Sequence, residues 1–474
     1  MEKTRWCILK SEQEILFCTK FKRYATIDKT QQKGAFSMKR FKQVCFSHIG
    51  LKEYIVFFCL TVIAALLLLI MAAFLPQSVI QQNVVESVDL VMYDLENNYI
   101  FDRSEGSKLD VFTDIMILRT SLTTNDRYLG SVLTNPVYTY RDLDEWEGSG
   151  KTLANLSYDK PADGAWFYTR YWMGFRVVVR LALLFFNYAQ IKRYLSFLFL
   201  SLFVAAVCSV SKHTNSKVAF LFALSIVLIR PHVMATSMQL TCCFFIAFLA
   251  MLLIPWLHRN PKWEGLFFME VGMITMYFDF YTVPLVTVGF PLMYLCLLKQ
   301  EESERVSFRN LLRNLAVWFA GYGLMWIAKL TLTTLLTSEN ALEFGLSSLF
   351  SRVGIAKDAE FSQYYALKPA FEGIRKTVFS DELGTVVYLL CAGVILVLVL
   401  WQILRGHASH KILQKALPYL FFAAIPLVWF VITRQPVAIH YFFQYRTIAL
   451  THWGAGVFLY SLLSAKKPEL TTKQ

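Results

Sequence analysis

Carboxylates crowd into one stretch of this chain. Between Pro76 and Arg170 lie 15 of its 34 acidic residues against 8 Lys and Arg, although the whole protein carries a net charge of +13. Asp114, in the run LDVFTDIM, is the first candidate for a general base, because it follows Asp110 by four residues and borders an apolar run that would hold it at a membrane surface. A plainer reading makes Asp110 and Thr113 a helix cap, with Asp114 complementing the positive end of the same helix. Asp89, nearer the preceding apolar run, is the second candidate base. Cations suited to a phosphate occur in Arg230-Pro231-His232 and in HYFFQYR, as His440 and Arg446. For the latter pair the plainer reading is snorkelling beside an interfacial belt of Tyr441, Phe442, Phe443 and Tyr445. Asp279 ends a short apolar run, where a carboxylate is costly unless paired or wetted; it is either a cavity acid or the partner of Arg230 or Arg446.

The elements that must position these residues are membrane helices. Of 474 residues 56% are apolar, 16% aromatic and only 17% charged, and the apolar residues come in runs long enough to cross a bilayer. The predicted fold class is all-α, a polytopic transmembrane helical protein of about ten spans. These are 54–75, 195–210, 218–229, 233–257, 265–278, 282–298, 311–336, 384–404, 416–432 and 447–463. The domain plan is a basic cytoplasmic tail (1–53), the first span (54–75), an acidic extracytoplasmic loop with an interfacial helix (76–193), spans two to seven (194–337), a second extracytoplasmic loop (338–383), spans eight to ten (384–463) and a cytoplasmic tail (464–474). The connections 212–217, 258–262, 299–314 and 405–415 hold eleven Lys and Arg, while the alternating short ones hold only Arg230, Arg434 and Arg446. The positive-inside rule therefore puts both termini in the cytoplasm, and cytoplasmic loops account for the basic charge, so no nucleic-acid partner is expected. Residues 1–53 carry twelve Lys and Arg, and because about fifty polar residues precede the first span and no small-residue cleavage site follows it, that span reads as a retained anchor rather than a signal peptide; Met38 makes residues 1–37 a candidate extension. Arg176 and Arg180, four apart with Val, Leu and Phe opposite, predict a helix lying in the interface; counting it as a span would put the basic loops outside.

This topology gathers the acidic loop, the turns at 230–232 and 278–281, and the segment ending at Arg446 on the outer side. Two spans there, 218–229 and 265–278, fall short of the roughly 20 residues a crossing needs, so their polar ends should lie in a cavity below the membrane surface. A carboxylate above and cations below would serve transfer of a sugar from a polyprenyl-phosphate donor to an acceptor hydroxyl. No GxxxxGK[ST], HExxH or GxGxxG motif is present, and all nine cysteines lie in the tail or inside spans. Asp142-Leu143-Asp144 spells a DxD but reads as a solvated turn. Trp146, Trp166 and Trp172 could stack on sugars or merely mark an interface, and Lys329 should pair or snorkel.

The layout resembles the GT-C superfamily of membrane glycosyltransferases. The segments LDVFTDIMILRTS, YTRYWMGFRVVVRLALLFFNY, YFDFYTVPLVTVGFP and HYFFQYRTIAL look like those of a group of bacterial polytopic proteins. The resemblance implies a large first extracytoplasmic loop bearing the catalytic acid, and a bacterial plasma membrane as the location. It further implies membrane lipids and a lipid-linked sugar as partners, and a glycan or protein acceptor; a divalent metal is left open. The rival classes are a transporter or flippase of an envelope precursor and a non-enzymatic membrane scaffold.

Overall fold

The computed structural model describes residues 49–101, 103–122, 129–144, 148–302, 306–352, 367–379 and 410–464, with single helical positions at 386, 390, 393, 397 and 401. The basic tail through residue 48 with Met38, most of the expected span 384–404, Trp146 and the tail beyond 464 lie outside the described residues. What is described is helical, apart from one two-stranded antiparallel sheet, β1 (Pro136–Thr139) against β2 (Gly164–Phe167), with Val137 opposite Trp166.

Among the described residues five helices are long and apolar enough to cross a membrane. They are α1 (Leu51–Ala73), α8 (Tyr188–His213), α11 (Met238–Arg259), α14 (Phe308–Leu336) and α17 (His410–Ile432). Leu60, Ile63, Leu67 and Met71 on α1, and Phe197, Leu200 and Val204 on α8, stand exposed on their outer faces. Large apolar side chains so placed need lipid around them, which makes this an integral membrane protein.

Shorter apolar helices pack among the long ones: α9 (Ser216–Val227), α12 (Glu264–Phe278), α13 (Leu285–Glu301) and α20 (Ala449–Leu463). At 1.5 Å per residue the twelve residues of α9 rise about 18 Å, well short of a bilayer core. Several boundaries differ from the sequence expectation. Helix α8 begins at Tyr188 rather than near 195, capped by Asn187 and Gln190 in a reciprocal capping box. The expected run 233–257 divides into a short α10 (Pro231–Ala235) and α11, broken at Thr236 and Ser237.

Helices α12 and α14 touch backbone to backbone. A Cβ on Gly321 would meet the carbonyl oxygen of Met269 at 2.2 Å, and one on Gly272 that of Trp318 at 2.2 Å. Small residues at a crossing allow this approach, where side chains would hold the helices apart. Gly321→Val should therefore cost about 1–3 kcal/mol of stability, read as a lower Tm and loss of the monodisperse gel-filtration peak. Gly323→Val, with nothing within 4 Å of its Cβ, is the control that should leave both unchanged. At the other end of α12, buried Glu264 accepts from Lys299 and from Asn314 (3.2 Å) and lies 3.6 Å from Arg313, tying α12 to α13 and α14.

The described residues between 76 and 182 include a set of short helices: α2 (Gln77–Val85), α3 (Val88–Glu96), α4 (Val111–Leu122), α5 (Leu129–Thr134), α6 (Ser149–Ser157) and α7 (Phe175–Ala182). Its core is apolar, with Ile80, Val84, Val91, Ile115, Leu118, Val132 and Leu153 almost fully buried. The amphipathic α7 is turned opposite to the plain interfacial picture. Arg176 and Arg180 are buried, and it is Val178, Leu181 and nearby Phe185 that face outward. Arg180 donates to the carbonyls of Ala72 (2.9 Å), Leu75 (3.4 Å) and Ser121, and to the Gln77 amide oxygen (3.0 Å). Those carbonyls close the C-terminal turns of α1 and α4, where the helix leaves oxygens unpaired and a cation is favoured. Burial and the neighbouring Arg176 lower the Arg180 pKa to about 10, so it remains a cation at neutral pH. Lys329 follows the same pattern on α14, donating to the Leu133 carbonyl and to the Thr333 hydroxyl (3.3 Å).

Candidate functional site

The first turn of α4 sets the site. Asp110 caps it, accepting from the Thr113 amide at 3.3 Å, so the cap read from sequence is formed. Asp114, one turn on and 2% exposed, turns away from its own helix. One carboxylate oxygen accepts from the Tyr188 hydroxyl at 2.9 Å and the other from the Met238 amide at 3.1 Å. Met238 is the first residue of α11, so Asp114 complements the positive end of a different helix from the one expected. Burial is the largest influence on its carboxyl and pushes the pKa up to about 7; Lys192 pulls downward and Asp110 pushes further up. A carboxyl so tuned can accept or release a proton at neutral pH.

Around it runs a polar chain that sequence reasoning missed. Lys192 bonds to Asp94 at 2.5 Å and stands 5.0 Å from the centre of the Tyr188 ring, whose hydroxyl reaches Asp114. The Tyr188 amide donates to Ser87 at 2.9 Å, which fixes the first turn of α8 against α3. The available signal was Lys192-Arg193 itself, two cations directly before an apolar run.

Of the predicted phosphate-binding residues, Arg446 and Arg230 meet at the turn that precedes α4. Arg446 is fully buried and donates to the carbonyls of Gly106 (3.0 Å) and Phe442 (2.8 Å). Arg230, with a left-handed φ of 58°, donates to Ser104 and to Ser107 (3.4 Å). Gly106 leaves room for the Arg230 side chain, since a Cβ there would meet its Nη1 at 2.3 Å and the guanidinium would have to shift. The Tyr445 hydroxyl adds a bond to the Ile229 carbonyl at 3.0 Å. Two arginines thus latch the turn Glu105–Ser107 down over themselves. Arg446 also acts on Asp110, whose pKa burial raises and which the Thr113 hydrogen bonds, then Lys108 and Arg446, draw back down.

The other candidates fall less centrally. His440 stacks on Phe443 with ring centres 5.1 Å apart, and burial, reinforced by Arg352, lowers its pKa to about 4. It is a neutral imidazole at physiological pH and offers a hydrogen bond rather than charge. His232 sits edge-on to Phe101 at 5.2 Å. Asp279 is 1% exposed, but it accepts from its neighbour Thr282, through the amide (2.9 Å) and the hydroxyl (2.5 Å), and not from an arginine. It shapes the turn between α12 and α13. Asp89 is exposed in the first turn of α3, away from the buried network. Asp142 and Asp144 lie exposed in a turn, and Trp172 is buried, donating to the Met325 carbonyl at 2.8 Å.

No family model, curated protein or solved structure matches the chain. Its chemistry must be argued from its own residues. Among the described residues no three His, Cys, Asp or Glu side chains converge as a metal-binding group.

Proposed function

We propose that the protein is a polyprenyl-phosphate-dependent glycosyltransferase of the GT-C type, acting at the outer face of a bacterial plasma membrane, with about ten spans and both termini cytoplasmic. The observation that carries this reading is Asp114: a buried carboxyl on the acidic loop, with its pKa near 7 and a hydroxyl already bonded to it at 2.9 Å. The Tyr188 hydroxyl stands where an acceptor hydroxyl would. Asp114 takes the acceptor's proton as its oxygen attacks the anomeric carbon, the bond from that carbon to the phosphate oxygen breaks, and polyprenyl phosphate leaves with the bonding pair. On this reading Arg446 and Arg230 supply the positive charge that stabilises the leaving phosphate. The membrane setting supports a lipid-linked donor, because both substrate and enzyme share the bilayer. Purified protein reconstituted with polyprenyl-phosphate sugars from an envelope extract should release free polyprenyl phosphate in the presence of acceptor. No release from any pool would overturn the reading.

One residue favours transport instead. Glu270, within α12, is half-buried against α1, where it accepts from the Thr61 hydroxyl at 2.8 Å. A carboxyl at membrane depth is a default candidate for ion or substrate passage. On the transferase reading Glu270→Gln leaves envelope glycans at wild-type level; accumulation of a precursor on the cytoplasmic side in that variant would favour a flippase.

A further inference from the structure

Lys192 and Arg193 stand at the start of α8, the end of that helix that packs against the set of short helices. They line a crevice of about 320 Å³ together with Leu90, Ala189, Ser196 and Thr236. Ser196 and Thr236 spend their hydroxyl protons on the carbonyls of Ala235 (2.7 Å) and His232 (3.0 Å), so the crevice is positive through its two cations alone. Lys192 is half-committed to Asp94, whereas Arg193 is exposed and makes no hydrogen bond or ion pair among the described residues. Below Arg193 on the same helical stripe come Phe197, Leu200 and Val204, all exposed. The cation therefore heads an apolar track that runs into the lipid.

We propose that this crevice binds the phosphate of a membrane lipid, with Arg193 as its main ligand, Lys192 as the second, and the lipid chain lying along Phe197, Leu200 and Val204. A guanidinium at headgroup level can hold two phosphate oxygens at once, and a basic pocket between helices at a membrane surface is suited to an anionic headgroup. The crevice adjoins the Asp114 network through Lys192 and Tyr188, so a lipid phosphate held there lies next to the proposed base. The inference requires only that α8 cross the bilayer; it does not depend on sugar transfer.

The test uses the full chain in phosphatidylcholine nanodiscs, titrated separately with phosphatidylglycerol and with a long-chain polyprenyl phosphate, and native mass spectrometry of the retained lipid. Wild type should retain one phosphate lipid, and Arg193→Gln should weaken that binding about tenfold, the worth of one good charge-assisted contact. Arg259→Gln, at an exposed cation at the far end of α11, should bind as wild type, and equal Tm values for wild type, both Arg193 variants and Arg259→Gln establish that all four are folded. Preference for polyprenyl phosphate identifies a polyprenyl-phosphate site separate from Arg446 and Arg230; equal retention identifies a general phospholipid site. Unchanged affinity in both Arg193→Gln and Arg193→Glu would overturn the proposal, and transfer surviving alongside that result would leave the enzyme reading in place.

Discussion

Asp114→Asn should lower transfer about 10²–10⁴-fold, the usual worth of a positioned general base, with little change in apparent acceptor affinity. Asn fills the same space and still accepts one of the two hydrogen bonds, so the loss is one of proton transfer rather than of shape. In the wild-type protein kcat/KM should rise with pH through about 7 as the carboxyl ionises, and the residual activity of the variant should lack that limb. Stability should run the other way. The folded-state pKa of about 7 lies above the ordinary 3.8, so the folded state holds this proton more tightly than the unfolded chain does. That contribution is full below about pH 4, is lost as pH rises through 7, and amounts to roughly 4 kcal/mol. Tm measured from pH 5 to 8 should therefore fall more steeply in wild type than in Asp114→Asn. Parallel curves would mean that Asp114 does not titrate in this range.

Arg180→Met should be the most damaging single change outside the helix crossings. It removes the guanidinium donors to the carbonyls of Ala72, Leu75 and Ser121 and to the amide oxygen of Gln77, although the Ala72 carbonyl keeps the Leu75 amide at 3.2 Å. Buried acceptors left without partners cost about 1–3 kcal/mol each, so a loss of 3 kcal/mol or more is expected even though Met keeps much of the packing. Leu181→Met, on the exposed face of the same helix, is the matched control. Thermal unfolding in nanodiscs reads both; a Tm for Arg180→Met equal to that of Leu181→Met would refute the capping role.

These two residues mark what the sequence could and could not disclose. The apolar runs that become α1, α8, α11, α14 and α17 announce themselves, because lipid demands about 20 apolar residues in a row and little else produces such a pattern. The Asp110–Thr113 cap is equally local, and so was legible. Asp114 could be singled out, but not its partners: Tyr188 and the Met238 amide lie 74 and 124 residues away and meet it only through packing of α4 against α8 and α11. Arg176 and Arg180 misled for a related reason. Two arginines on one face suggest water, yet their acceptors are main-chain carbonyls at helix ends, which no side-chain pattern advertises. For Asp279 the sequence left a cavity acid and an arginine partner both open, and the bonds from Thr282, three residues on, were a local possibility that neither reading included.

The central claim is that Asp114 serves as the base for moving a lipid-linked sugar, and it is tested most directly in cells. Lipid-linked sugars and envelope glycans would be measured by mass spectrometry in a deletion strain complemented with wild type or with Asp114→Asn at equal expression. The account predicts that the deletion loses one glycosylated species and accumulates one polyprenyl-phosphate sugar, and that Asp114→Asn restores neither. Full restoration by Asp114→Asn, or an unchanged profile in the deletion, would contradict it.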